Sequence, residues 1–93
     1  MVVGICTWEL HLPGCLSLKD KRGTLKPVTK ELGRSLNVSV SETDHQDLWQ
    51  RAEIACAAIG TSRTIVEETL RSADRLIEAR DGIRVIDTTT EYR

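Results

Sequence analysis

Two groups of residues in this chain have types and spacings that could do chemistry. The first is cationic. Lys19, Lys21, Arg22, Lys26, Lys30 and Arg34 are opposed over the same stretch only by Asp20 and Glu31, six cations against two acids, a local net charge of +4. Arg22, Lys26, Lys30 and Arg34 recur at every fourth position, so on a helix they form one stripe with no acid between them. Like charges at that spacing each cost a few tenths of a kcal/mol, and the three neighbouring pairs together cost about 1 kcal/mol. Lys19, Lys21 and Arg22 stand near the helix start, where the macrodipole also disfavours cations. An arrangement that costs stability in two ways suits a polyanion, with backbone N–H groups at a helix start assisting. The competing reading is a solvated face of good helix formers.

The second group is Asp44-His45-Gln46-Asp47-Leu48-Trp49-Gln50-Arg51. Asp44, His45 and Asp47 could ligate a metal or supply a base. A single turn brings no fourth ligand, however, and Asp is favoured in turns for backbone reasons. Trp49 and Arg51, with His45 beside them, fit a contact to a protein or a base, since Trp and Arg anchor interfaces. No G-x-S-x-G, H-E-x-x-H or G-x-x-x-x-G-K-[ST] motif occurs. Neither an enzyme nor a bound cofactor or metal is expected. Cys6, Cys15 and Cys56 form no C-x-x-C pair and are odd in number, so no disulfide framework or zinc site is indicated. Cys6 and Cys56 read as small core residues, whereas Cys15 lies in a loop and is open to reaction.

The elements that must position these groups can be read from periodicity. Val2 to Leu12 alternates, with Cys6, Trp8, Leu10 and Leu12 on one face, which predicts a half-buried strand closed by Pro13-Gly14. Ser17-Leu18-Lys19-Asp20 has the form of a capping box and opens a helix whose apolar arc is Leu18, Leu25, Val28, Leu32 and Leu36. Pro27 within it predicts a bend or a late helix start. Asn37 to Thr43 is a second strand and Trp49 to Ile59 a third, apolar on both faces through Ala55-Cys56-Ala57-Ala58. Thr61 or Ser62 caps a second helix burying Ile65, Val66, Leu70, Ala73, Leu76 and Ile77, with Asp81-Gly82 ending it. A last strand turns Ile83, Val85 and Asp87 inward. The order β-α-β-β-α-β predicts an α+β, ferredoxin-like two-layer sandwich. A four-stranded antiparallel sheet then carries both helices on one face, with strands one and three central.

The chain's 93 residues, 40% hydrophobic and 29% charged, make one globular domain spanning residues 1–93. The net charge of −1 carries no global sign of nucleic acid. No stretch suits a membrane span, and Met1-Val2-Val3-Gly4 lacks the basic start of a signal peptide, so a cytoplasmic location is expected. The open sheet face is expected to present Ile5, Thr7, Glu9, His11, Arg51, Glu53 and Ala55. It lacks the aromatics on which sheet-type RNA readers stack bases. RNA would therefore meet the helix side.

The runs Leu10-His11-Leu12-Pro13-Gly14, Ser17-Leu18-Lys19-Asp20-Lys21-Arg22, Asn37-Val38-Ser39-Val40 and Asp44-His45-Gln46-Asp47-Leu48-Trp49-Gln50-Arg51 closely resemble the bacterial YlxP-like family over essentially the whole chain. The resemblance implies a ferredoxin-like fold, no established catalytic residues, and a domain of unknown function described as a ribosome-binding factor. Together with the charge pattern it raises the expectation of a small non-enzymatic protein that associates with the ribosome or ribosomal RNA. Lys19, Lys21, Arg22, Lys26, Lys30 and Arg34 are then expected on phosphates. The alternative is a dimeric ligand-sensing or protein-interaction module, a second copy of the chain pairing through the open sheet or an edge strand.

Overall fold

Alternating and helical periods resolve into six elements in the computed structural model, which describes residues 1–93. They are β1 (Val2–His11), α1 (Leu18–Ser35), β2 (Val38–Asp44), β3 (Arg51–Gly60), α2 (Arg63–Glu78) and β4 (Arg84–Tyr92). The sheet order is β2-β3-β1-β4 and every neighbouring pair is antiparallel, so the two central strands are the first and third. This is the ferredoxin-like sandwich that the element order predicts.

The period-two face of β1 supplies the middle of the core. Cys6, Trp8, Leu10 and Leu12 are buried, and opposite them Ala52, Ile54, Cys56 and Ala58 of β3 point the same way. From the helices come Leu25, Val28 and Leu32 of α1 and Val66, Leu70, Ala73 and Ile77 of α2. Trp8 is fully buried, and its indole N–H donates to Asp74 Oδ1 of α2 at 2.9 Å, which satisfies the one polar atom that burial would otherwise strand. Gly4 lets α2 lie close on β1: a Cβ there would meet Val66 Cγ1 at 2.5 Å and Leu70 Cδ1 at 2.8 Å.

Both helix starts follow from local side chains. Ser17 Oγ accepts from Asp20 N at 3.0 Å, and Asp20 Oδ2 accepts in return from Leu16 N at 3.0 Å, a reciprocal cap set one residue further out than the usual box. Ser62 caps α2 by accepting from Ile65 N. Helix α2 ends earlier than Asp81-Gly82, at Glu78 with Ala79 as its C-cap, and Gly82, at φ 79°, takes its left-handed conformation in the turn before β4.

Several expectations are corrected. Helix α1 does not start late: it opens at Leu18 and its helical assignment continues through Pro27 to Ser35. Gly23, whose carbonyl Pro27 cannot serve, is exposed, so water can satisfy it without a break. Leu18 and Ile65 are exposed rather than inward, each lying in the first turn of its helix before the helix is fully seated. The third strand starts at Arg51, which leaves Trp49 in the preceding turn. A register shift opposite Glu9/Leu10 turns Asp87 outward beside Glu9 while Val85 stays against the core. Cys15 is buried, its sulfur 3.6 Å from Thr24 Oγ1, and is not an open thiol. Burial pushes the Cys56 thiol up to about 12 and raises Cys6 as well, so both behave as the apolar core residues expected.

Candidate nucleic-acid interface

A helix advances about 100° per residue, and that phase separates the six cations of α1. Lys21 falls in the same arc as Leu25, Val28 and Leu32, and all four are buried. Lys19, Arg22, Lys26, Lys30 and Arg34 fall on the opposite side and are exposed. The fourth-position residues climb the helix in steps of about 6 Å. None of these five has a carboxylate within ion-pair distance. The two acids of α1 are engaged elsewhere, Asp20 at the helix cap and Glu31 in an ion pair with Arg80. The outward face of α1 is therefore a row of unmatched positive charge.

Lys21 does not belong to that row. Its side chain is only 3% exposed, with Nζ 2.8 Å from Glu42 Oε2 of β2, and it donates to the His45 carbonyl at 2.6 Å. The expectation that Lys21 contacts phosphate is withdrawn on this geometry: a lysine so placed clamps the start of α1 to β2 and to the turn after it. Glu42 Oε2 is buried against this ammonium, which matches its charge at 2.8 Å.

The turn between β2 and β3 is built around His45, which takes a left-handed φ of 62°. Asp44 Oδ1 accepts from His45 N at 2.7 Å, and the His45 carbonyl accepts from Leu48 N at 3.0 Å as well as from Lys21. The imidazole turns to the open sheet face, where Nε2 lies 2.8 Å from Glu9 Oε1. Arg51 Nη2 donates to Glu9 Oε2 at 2.8 Å. Partial desolvation works to raise the Glu9 carboxyl, but the bonds from Arg51 and His45 outweigh it and hold the group below the usual carboxylate range. His45 and Arg51, expected as free contact residues, thus satisfy Glu9 first. No three His, Cys, Asp or Glu side chains converge as a metal site would require.

Trp49 stands at the tip of this turn with its side chain 51% exposed, and Leu48 is exposed beside it. Gln50 fastens the turn to the loop before α1, its amide donating to the Cys15 carbonyl at 3.1 Å while its own carbonyl accepts from Leu12 N at 2.9 Å. The structure thereby brings Trp49 to the same end of the molecule as the first turns of α1, which sequence spacing alone did not show. The residue missed from the sequence is Glu42. Its signal was present, since it continues the alternation of Val38 and Val40 on the inner face of β2.

Comparison with known proteins agrees with this architecture. A de novo designed protein with ferredoxin fold, LFR1 1, superposes with a TM-score of 0.56 at 11% identity, covering 100% of this chain and 83% of its own, a likeness of fold alone. The uncharacterized protein YlxP of Bacillus subtilis (strain 168) is 33% identical over 91 residues, covering 98% of this chain and 99% of that protein. The family model described as "Protein of unknown function (DUF503)" matches residues 3–90. On that match and on the near full-length similarity to YlxP, the chain belongs to the DUF503 family.

Proposed function

We propose that this protein is a non-catalytic RNA-phosphate-binding domain that associates with the ribosome or ribosomal RNA through the outward face of α1. The observation that carries the reading is the row Lys19, Arg22, Lys26, Lys30 and Arg34, exposed and without carboxylate partners on a protein whose net charge is −1. A polyphosphate laid along the helix relieves the repulsion among these groups and releases condensed counterions. The open sheet face does not compete for this role, since Glu9, Glu53 and Asp87 lie in one cross-strand row there. Trp49, at the α1 end of the molecule, is placed to add an apolar contact to whatever lies along the helix.

The test is a salt titration of binding to ribosomal RNA, followed by co-sedimentation with ribosomal subunits. Five neutralised phosphates give a log–log salt slope of about −3.5 on single strands. Arg22→Glu with Lys30→Glu should flatten the slope by at least about 1.4 and abolish co-sedimentation. Undiminished sedimentation of that double variant refutes the proposal.

A second reading, self-association, is favoured by the outer edge of β4. That strand is nine residues long, hydrogen-bonds only to β1, and bears no Pro or Lys to discourage a further strand. A concentration-dependent mass in solution, abolished by Thr89→Pro on that edge, is its expected signature, and a monomer at every concentration excludes it.

A further inference from the structure

The sheet ends at β2, which hydrogen-bonds only to β3 and leaves its outer row of backbone groups unpaired. Its register against β3 is regular from Val38 to Glu42 and shifts only beyond that residue. This run has no Pro and no Lys, and its one charged residue, Glu42, is matched by the Lys21 ammonium at 2.8 Å. The usual guards of a sheet edge are therefore absent or neutralised. At about 100° per residue, Leu18, Thr29, Arg22 and Lys26 share one flank of α1, an arc of about 80°. Glu31 lies on the other flank, where it reaches Arg80 beyond α2. Between the first flank and β2 runs an open groove of about 530 Å³, floored by Leu18, Leu25 and Val40 and bordered by Arg22 and Lys26. These two cations have no carboxylate within ion-pair distance. An unpaired strand, an apolar floor and two unmatched cations thus lie side by side.

We propose that this edge takes an extended acidic segment of another protein as a further strand beside β2, with the inward side chains of that segment in the groove. An added strand lies about 4.8 Å beyond β2 and turns alternate residues to the helix face. Those residues recur about every 6.7 Å, and Arg22 and Lys26 lie about 6 Å apart along α1. Two acids separated by one residue therefore meet the two cations, and an apolar residue on either side covers Leu25 and Val40. Main-chain hydrogen bonds supply affinity, and the groove selects the side chains. A second copy of β2 is a poor occupant. Its inward acid, Glu42, is already engaged by Lys21, and antiparallel self-pairing sets two cationic helix rows on one side of the joined sheet. The inference goes beyond the phosphate-binding reading: it shares Arg22 and Lys26 with that reading but adds a backbone ladder that RNA cannot make.

The probe is the end-blocked, fluorescently labelled peptide Thr-Val-Thr-Glu-Thr-Glu-Thr-Val-Thr, and fluorescence anisotropy reads its binding to the full chain. Arg22→Glu with Lys26→Glu should weaken binding about tenfold, and so should exchange of both peptide glutamates for lysine. The lysine peptide should recover its binding on the doubly substituted protein. N-methylation of alternate amides along one edge of the peptide should abolish binding, while the same change along the other edge leaves it intact. Amide hydrogen exchange should slow in β2 on peptide binding and stay unchanged in β4. A peptide indifferent to both methylation patterns overturns the strand addition, since the cations then hold any polyanion and the phosphate reading stands. Protection in β4 instead of β2, or no binding of the peptide at all, also overturns it and leaves the phosphate reading to its own salt titration. Exchange in β2 that slows with protein concentration alone assigns the edge to a second copy and overturns it as well.

Discussion

Replacing Lys21 with Met distinguishes a clamp from a phosphate contact. The substitution keeps the length of the buried stem and removes Nζ, which donates to the His45 carbonyl at 2.6 Å and faces Glu42 Oε2 at 2.8 Å. Two losses follow. A charged hydrogen bond to a backbone carbonyl is worth about 1.5–3 kcal/mol. Removing one partner of a fully buried ion pair costs about 3–5 kcal/mol, much of it the burden of the charge left behind. The Glu42 side chain is 30% exposed and can turn toward water, so the low end applies, and the two losses overlap in the same ammonium group. The expected destabilisation is about 2–3 kcal/mol, which for a domain of this size lowers Tm by roughly 10–20 °C. Urea and thermal unfolding measure it. Lys21→Met combined with Glu42→Leu removes the orphaned charge and should recover at least half of the loss. RNA affinity, measured well below the lowered Tm, should stay within about twofold of the parent, since one cation of six is involved and it does not face the solvent. A Lys21→Met protein as stable as the parent but defective in RNA binding refutes the assignment and returns Lys21 to the phosphate row.

Other outcomes follow from the same contacts. Arg22→Glu with Lys30→Glu converts three like-charged i,i+4 pairs into three opposite-charged ones, so thermal unfolding should show a gain of about 1–2 kcal/mol in the variant that loses RNA. A drop in stability there means that the cations already serve the fold. Glu9 carries a carboxyl held below its unfolded value, and it therefore contributes stability that is present above about pH 4.3 and fades as pH falls through the lower folded value. Glu9→Gln should flatten that acid limb in urea titrations between about pH 6 and about pH 2, whereas an unchanged limb separates Glu9 from acid unfolding. Gly4→Ala drives a methyl into Val66 and Leu70 of α2 and should cost about 1–3 kcal/mol by chemical denaturation.

Much of the fold was legible because its signals are local and periodic. The alternation of Cys6, Trp8, Leu10 and Leu12 needs only a strand with one dry face, and Ser17 and Ser62 cap their helices through hydrogen bonds spanning three residues. The departures come from contacts between elements. The outward turn of Asp87 follows from a register shift against β1, which no period within β4 can announce. Trp49 falls outside β3 because His45 and Gln50 tie the turn to α1 and to the loop before it, delaying the strand to Arg51. Lys21 is a different case, since its helical phase lies among Leu25, Val28 and Leu32 and was available for inspection. Proximity in sequence sets it beside Lys19 and Arg22, whereas its phase sets it in the core.

That misplaced lysine bears on how the candidate interface can exist. The outward row weakens α1 by about 1 kcal/mol through its three neighbouring repulsions, and Pro27 removes one of its backbone bonds. A surface helix so burdened would fray from its first turn, where Lys19 and Arg22 also oppose the macrodipole. The contacts that hold this turn are the Ser17–Asp20 cap and the Lys21 clamp, and the clamp alone outweighs the repulsion by about twofold on the estimate above. The same clamp sets Glu42 opposite Arg22 and Lys26 and fastens the turn that carries Trp49. One buried cation thus offsets the cost of five exposed ones.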